Sequence, residues 1–103
     1  MIRVTRQQCE AVRSIGITGH AGYAEHGKDI VCAAASMLLF TLIEYLEKSG
    51  VKHSAHAESG CAGVAVTDPD RRTEDAFDLV ETGLRMLAER YPDYVELGVP
   101  YTS

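Results

Sequence analysis

Gly19-His20-Ala21-Gly22-Tyr23-Ala24-Glu25-His26-Gly27-Lys28-Asp29-Ile30-Val31-Cys32-Ala33-Ala34 is a glycine-punctuated polar loop that runs into the most apolar segment of the chain. Asp29 is a good N-cap for that segment, because its carboxylate can accept from the N–H groups two or three residues on. With Asp29 as the cap, Cys32 is the third helical residue. The helix is expected to run to about Lys48 and to end at Gly50, a typical C-terminal glycine. From Ile30 to Ile43, fourteen residues, it carries no charge on any side. Such a helix is buried around most of its circumference, or is divided between its own sheet and a partner subunit. A chain of 103 residues rarely encloses a whole helix, so a homodimer seam at Met37, Leu38 and Phe40 is the expectation.

The flanking sequence supplies strands. Ile2 to Thr5 reads as a short strand and Arg6 to Glu10 as a polar turn. Val12 to Thr18 is a second strand, with Arg13, Ile15 and Ile17 on one face. Lys52 to Glu58 and Ala62 to Thr67 flank the turn residues Ser59-Gly60. In the second of these, Ala62, Val64 and Val66 share a face. A second helix spans about Arg71 to Arg90. It turns Ala76, Val80, Gly83, Leu84 and Leu87 inward, and Glu74, Asp78, Glu81, Arg85 and Glu89 to water. Tyr91-Pro92-Asp93 breaks it ahead of a last strand over Tyr94 to Leu97. The order ββαββαβ gives one α+β domain over residues 1–103, a mostly antiparallel sheet packed against two helices.

Bulk composition narrows the partners. The formal net charge is −5, which opposes a nucleic-acid partner, since a phosphate backbone demands a clustered basic face. An acidic protein suits a basic protein or peptide instead. The cysteines, Cys9, Cys32 and Cys61, are odd in number and contain no C-x-x-C pair, which points to a reducing, cytoplasmic setting rather than a disulfide framework. No signal-like segment opens the chain, and the uncharged run of fourteen falls short of the roughly 20 residues that cross a bilayer. No membrane partner is expected.

Cys32 is compatible with three roles. It can be a small core residue, as buried free cysteines commonly are. It can be a nucleophile, since the first turn of a helix offers unpaired N–H groups and the positive end of the dipole, which favour the reactive thiolate. It can be a metal ligand, for which Cys61 or His26 would have to join it without any recognised spacing. The second role needs a base, and His20 stands at the other end of the loop. Gly22 and Gly27 offer hinges there and Tyr23 an aromatic wall, while His26 is expected in solvent. Asp29 is a cap, an orienting partner for His20, or both. Ser36 lies one turn beyond Cys32 on the same face, placed either to bond the sulfur or to bond back to the helix. His53-x-x-His56 looks like a metal pair, but an offset of three on a strand turns two rings to opposite faces. Neither a metal nor a cofactor is expected.

Gly19-His20-Ala21, the glycine-bearing loop, and Asp29-Ile30-Val31-Cys32-Ala33-Ala34 with Ser36 resemble the signature of the bacterial ribosomal-processing cysteine proteases, the Prp family. The ending Glu89-Arg90-Tyr91-Pro92-Asp93-Tyr94-Val95 is similar to that family's ending as well. The resemblance implies a homodimeric cysteine endopeptidase of ββαββαβ fold. Such an enzyme removes a short N-terminal extension from a large-subunit ribosomal protein, after a pair of aromatic residues, or processes a phage capsid or scaffold leader. It implies Cys32 as nucleophile, His20 as general base, Gly19, Asp29 and Ser36 as supporting residues, and a loop (Gly22, Tyr23, His26, Gly27) that orders around the peptide. The chain departs from the family's usual pattern in an abbreviated first hairpin, in bulky Met37 and Phe40, and in a tail over Gly98 to Ser103. The alternative is a ribosome-assembly or peptide-binding module without catalysis.

Overall fold

In a computed structural model of the chain, residues 1–25 and 29–98 are described. The elements are β1 (Ile2–Cys9), β2 (Val12–Thr18), α1 (Ile30–Lys48), β3 (Ser54–Glu58), β4 (Cys61–Thr67), α2 (Arg71–Arg90) and β5 (Val95–Leu97). The strands form one sheet in the order β3-β4-β2-β1-β5. All neighbours are antiparallel except β1 and β5, which run parallel. This is the expected mostly antiparallel sheet with two helices.

Period-2 alternation decides which face of the sheet the helices cover. Ile2, Val4, Ile15, Ala62, Val64 and Val66 are buried on one face against Leu39, Leu42 and Leu46 of α1 and Phe77, Val80 and Leu84 of α2. Each large side chain buried this way contributes roughly 1.5–3 kcal/mol. Phe77, fully buried, is the largest of them and is absent from the inward set expected from helical spacing. Gly83 faces α1 so closely that a Cβ there would lie 2.7 Å from Leu38 Cδ2. Leu38 therefore belongs to the α1–α2 contact and leaves the expected dimer seam, whereas Met37 and Phe40 are exposed.

Two further expectations are corrected. Arg6 to Cys9 is strand, paired from Arg6↔Ile15 to Cys9↔Val12, and the turn is Glu10-Ala11 with Glu10 at φ 53°. The backbone ladder of β2 extends the strand although its side chains are polar and lack an apolar rhythm. Nor do Glu74, Asp78 and Glu81 all turn to water. Arg13 comes off the helix-covered face of β2, 7% exposed, and its guanidinium lies over the Phe77 ring at 5.6 Å. It pairs with Asp78 and lies 3.7 Å from Glu74 and 3.8 Å from Glu81, which also pairs with Arg6. A buried arginine is tolerable only when its charge is matched, and α2 supplies the match.

With its last turns, α1 reaches 19 residues at a mean hydropathy of 1.7, long and apolar enough to span a bilayer by those measures alone. Its stripe Val31, Ala35, Leu39, Leu42 and Leu46 is instead committed to the core. The helix ends as expected, with Ser49 as C-cap and Gly50 at φ +72°.

Candidate active site

One end of the sheet gathers four pieces of chain: the start of β1, the end of β2, the first turn of α1 and the β3–β4 turn. Between them lies a cleft of about 610 Å³, bordered by Gly19, His20, Gly22, Asp29, Cys32 and Ser36 together with Glu58 to Ala62. Six of the sequence-predicted residues thus share one cleft. His26 and Gly27 lie outside the described residues.

Gly19 makes the approach possible. It adopts φ +86°, its N–H donates to Gly60 O at 2.8 Å, and a Cβ would stand 2.3 Å from the Met1 carbonyl oxygen. No side chain fits there without moving the start of β1. His20 follows immediately and is exposed. Its ring lies over Gly60, where a Cβ would be 3.1 Å from Nε2. Next comes Ala21, whose side chain is buried and whose N–H donates to Cys32 Sγ at 3.2 Å. The sulfur itself is half-buried on the cleft wall.

Asp29 organises the junction. Oδ1 accepts from the N–H groups of Val31 at 3.0 Å and Cys32 at 2.9 Å, the expected cap. Oδ2 accepts from Tyr23 at 3.0 Å and Ala24 at 3.5 Å, which ties the loop to the helix. Burial works to raise its pKa. The amides of Cys32, Tyr23, Ala24 and Val31 outweigh that and hold the carboxyl below its usual 3.8. Both oxygens are thus engaged by backbone amides. The Cys32 N–H, a natural donor to a developing oxyanion in this geometry, is given to this carboxylate.

Tyr23 is not a wall of the cleft. Gly22 and Ala24 border it, while the Tyr23 ring turns away to meet Tyr91 and Tyr94 edge-on. From Gly19 to Ala24 the loop is held by its backbone amides, by buried Ala21 and by this ring contact.

A model of the cysteine protease Prp family matches residues 1–96. The chain belongs to the Prp family. It is 31% identical over 80 residues to the ribosomal processing cysteine protease Prp of Mycoplasma genitalium, covering 78% of this chain and 81% of that protein. A shorter stretch of 42 residues, 39% of this chain and 38% of the relative, is 43% identical to the Bacillus subtilis protein of the same name. Among solved structures, Prp from S. aureus with a covalently linked product peptide superposes with a TM-score of 0.86 over 98% of this chain and all of the other, at 22% identity. The SMU.848 protein of Streptococcus mutans gives 0.74 at 29% identity, over 98% and 96% of the two chains. The chain is a cysteine protease with the Prp fold.

Several residues at this Prp-type site carried no signal in the sequence. Gly60 looks like a turn glycine, and its second use as a seat for the His20 ring depends on a contact forty residues away in sequence. Cys61, on the same cleft, has its Sγ 3.5 Å from His56 Nε2. His53 precedes β3 rather than sharing the strand with His56, and its ring meets Val51 O at 2.7 Å and Glu47 at 3.2 Å. The two histidines are drawn to different partners. Among the described residues, no group of three or more His, Cys, Asp or Glu is placed to hold a metal ion.

Proposed function

We propose that this chain is an endopeptidase that removes a short N-terminal extension from a large-subunit ribosomal protein precursor in the cytoplasm, cutting after aromatic residues. Cys32 is the nucleophile and His20 the general base. The observation that carries the reading is the convergence of a half-buried thiol in the first turn of α1 and an exposed imidazole on the wall of one cleft. The names of the relatives, ribosomal processing proteases, supply the substrate class.

The reaction follows from the groups at the cleft. Cys32 Sγ bonds to the scissile carbonyl carbon as His20 accepts the thiol proton. The tetrahedral intermediate collapses, the C–N bond breaks, and His20 returns the proton to the leaving amine. Water then attacks the thioester with His20 as base, releasing the carboxylic acid and restoring the thiol. The oxyanion needs a donor other than the Cys32 amide, which Asp29 already holds. Gly19 sets the direction of His20, Ser36 flanks the sulfur one turn along α1, and Asp29 fixes the helix start against the loop.

A second copy of the chain is the proposed partner, docked on the exposed side chains of Met37 and Phe40 on α1. Met37 is 66% and Phe40 44% exposed, and Phe40 also borders the catalytic cleft. Sedimentation of wild type against Met37→Glu tests it, a dimer falling to monomer being the expected result.

Mixing the protein with ribosomal protein precursors and reading intact masses tests the function. Loss of a short N-terminal peptide after an aromatic residue is expected. Cleavage confined to a phage-type capsid leader would move the substrate, and intact precursors throughout would overturn the reading in favour of a binding module.

A further inference from the structure

We propose that Tyr91 and Tyr94, at the end of α2 and just ahead of β5, are positioning residues for the reaction at Cys32 and act through Tyr23. The proposal rests on Cys32 as the nucleophile. The Tyr23 ring meets Tyr91 at 5.7 Å and Tyr94 at 5.2 Å between centroids, both with an 80° interplanar angle. Edge-to-face is the arrangement that aromatic quadrupoles favour, and it contributes beyond area burial. Tyr23 is 42% exposed, so the contact is not one the core would impose on it.

Both ends of this contact reach the machinery. On the loop side, the Tyr23 N–H donates to Asp29 Oδ2, the carboxylate whose other oxygen holds the Cys32 N–H. Two residues earlier, the Ala21 N–H points at Cys32 Sγ. On the frame side, Tyr91 N–H donates to Leu87 O, Tyr94 N–H donates to Tyr91 O, and Tyr94 O accepts from Ile2 N–H at 2.8 Å. The seat is therefore fixed to α2 and to β1, whose Ile2 borders the cleft. Releasing Tyr23 from it removes the ring contact and leaves the loop to its backbone amides and to buried Ala21. A side chain seated away from the cleft thus sets where the amides beside the sulfur stand. Ring edges make the contact, so a phenyl ring suffices.

The experiment compares Tyr23→Leu, Tyr23→Phe and Tyr91→Leu in the full chain by two readouts. One is cleavage of the ribosomal protein precursor; the other is hydrogen exchange at the Ala21 and Tyr23 amides without substrate. For Tyr23→Leu, kcat should fall about tenfold with KM within about twofold, as small misplacements of reacting groups do, and both amides should exchange faster. Tyr91→Leu should reproduce the exchange change, and Tyr23→Phe should restore wild-type values of both readouts. Unchanged exchange in Tyr23→Leu overturns the contact as a support, and faster exchange with kcat unchanged overturns the positioning role. Tyr23→Phe as impaired as Tyr23→Leu overturns the ring-edge argument. If a Cys32→Ala protein still cleaves, the nucleophile assignment falls, and the exchange result stands apart from it.

Discussion

Asp29 and Asp70 each start a helix from an extended backbone, at φ −83° and −78°, with a side-chain oxygen accepting from amides of the first turn. They differ in the second oxygen. Asp70 serves its own helix, through Thr73 N–H at 2.8 Å. Asp29 also gathers Tyr23 and Ala24 from a loop that runs along the cleft. The same residue in the same backbone role serves one helix at α2 and ties a cleft-bordering loop to the helix at α1. A cap becomes part of a site when the chain entering the helix also carries the groups that react.

Substitutions at the two positions separate these uses. Asp29→Ala removes cap and loop tie together, and peptidase activity should fall about a hundredfold, the scale of an ångström-level misplacement at a reacting centre. Asp70→Ala should leave kcat/KM within about twofold and lower Tm by about 4 °C. Equal activity losses in the two variants would erase the distinction. Asp29→Asn sharpens it, since the amide oxygen can still cap while its NH2 cannot accept from Tyr23 and Ala24. Activity should drop about tenfold with Tm nearly unchanged, within about 2 °C by the cap preference of asparagine.

Acid should remove the contribution of both caps to stability. The amides of Tyr23, Ala24, Val31 and Cys32, acting against burial, hold the Asp29 carboxyl below 3.8. A lowered folded-state pKa contributes stability that is fully present above the unfolded value and is lost as pH falls through the folded one. The Tm gap between wild type and Asp29→Ala should therefore be constant from about pH 5 to 8 and close below about pH 4. Asp70 is lowered by its backbone and side-chain hydrogen bonds with Thr73, and its variant should follow the same curve. The smallest effect is expected from Asp70→Asn, whose amide oxygen can still accept from Thr73 N–H, and a Tm within about 1 °C of wild type checks it.

Sequence legibility follows the reach of each interaction. Asp29 as a cap, Cys32 in the first helical turn and the buried set Ala62, Val64 and Val66 depend on neighbours a few residues away, and all were readable. The boundaries of β2 and α2 were readable as well. Arg6 to Cys9 was not, because a strand with polar side chains on both faces is specified by its partner's ladder. Arg13 was legible as inward-facing, yet the Asp78 and Glu81 that make its burial tolerable belong to a helix face that helical spacing assigns to water. In the site, the second oxygen of Asp29, the Gly60 seat beneath His20 and the tyrosines behind Tyr23 are long-range contacts with no local periodicity. Leu38 left the expected dimer seam because Gly83 has no side chain, a vacancy that no pattern within α1 contains.

The central claim is that Cys32 performs covalent peptide cleavage in this cleft. Its most direct test is the intact mass of a ribosomal protein precursor after incubation with wild type or with Cys32→Ala. Replacing the CH2SH side chain by CH3 in a half-buried position should leave the fold and Tm close to wild type. A precursor shortened by wild type and untouched by Cys32→Ala is the expected result. Cleavage by the folded Cys32→Ala protein at the wild-type rate would contradict it.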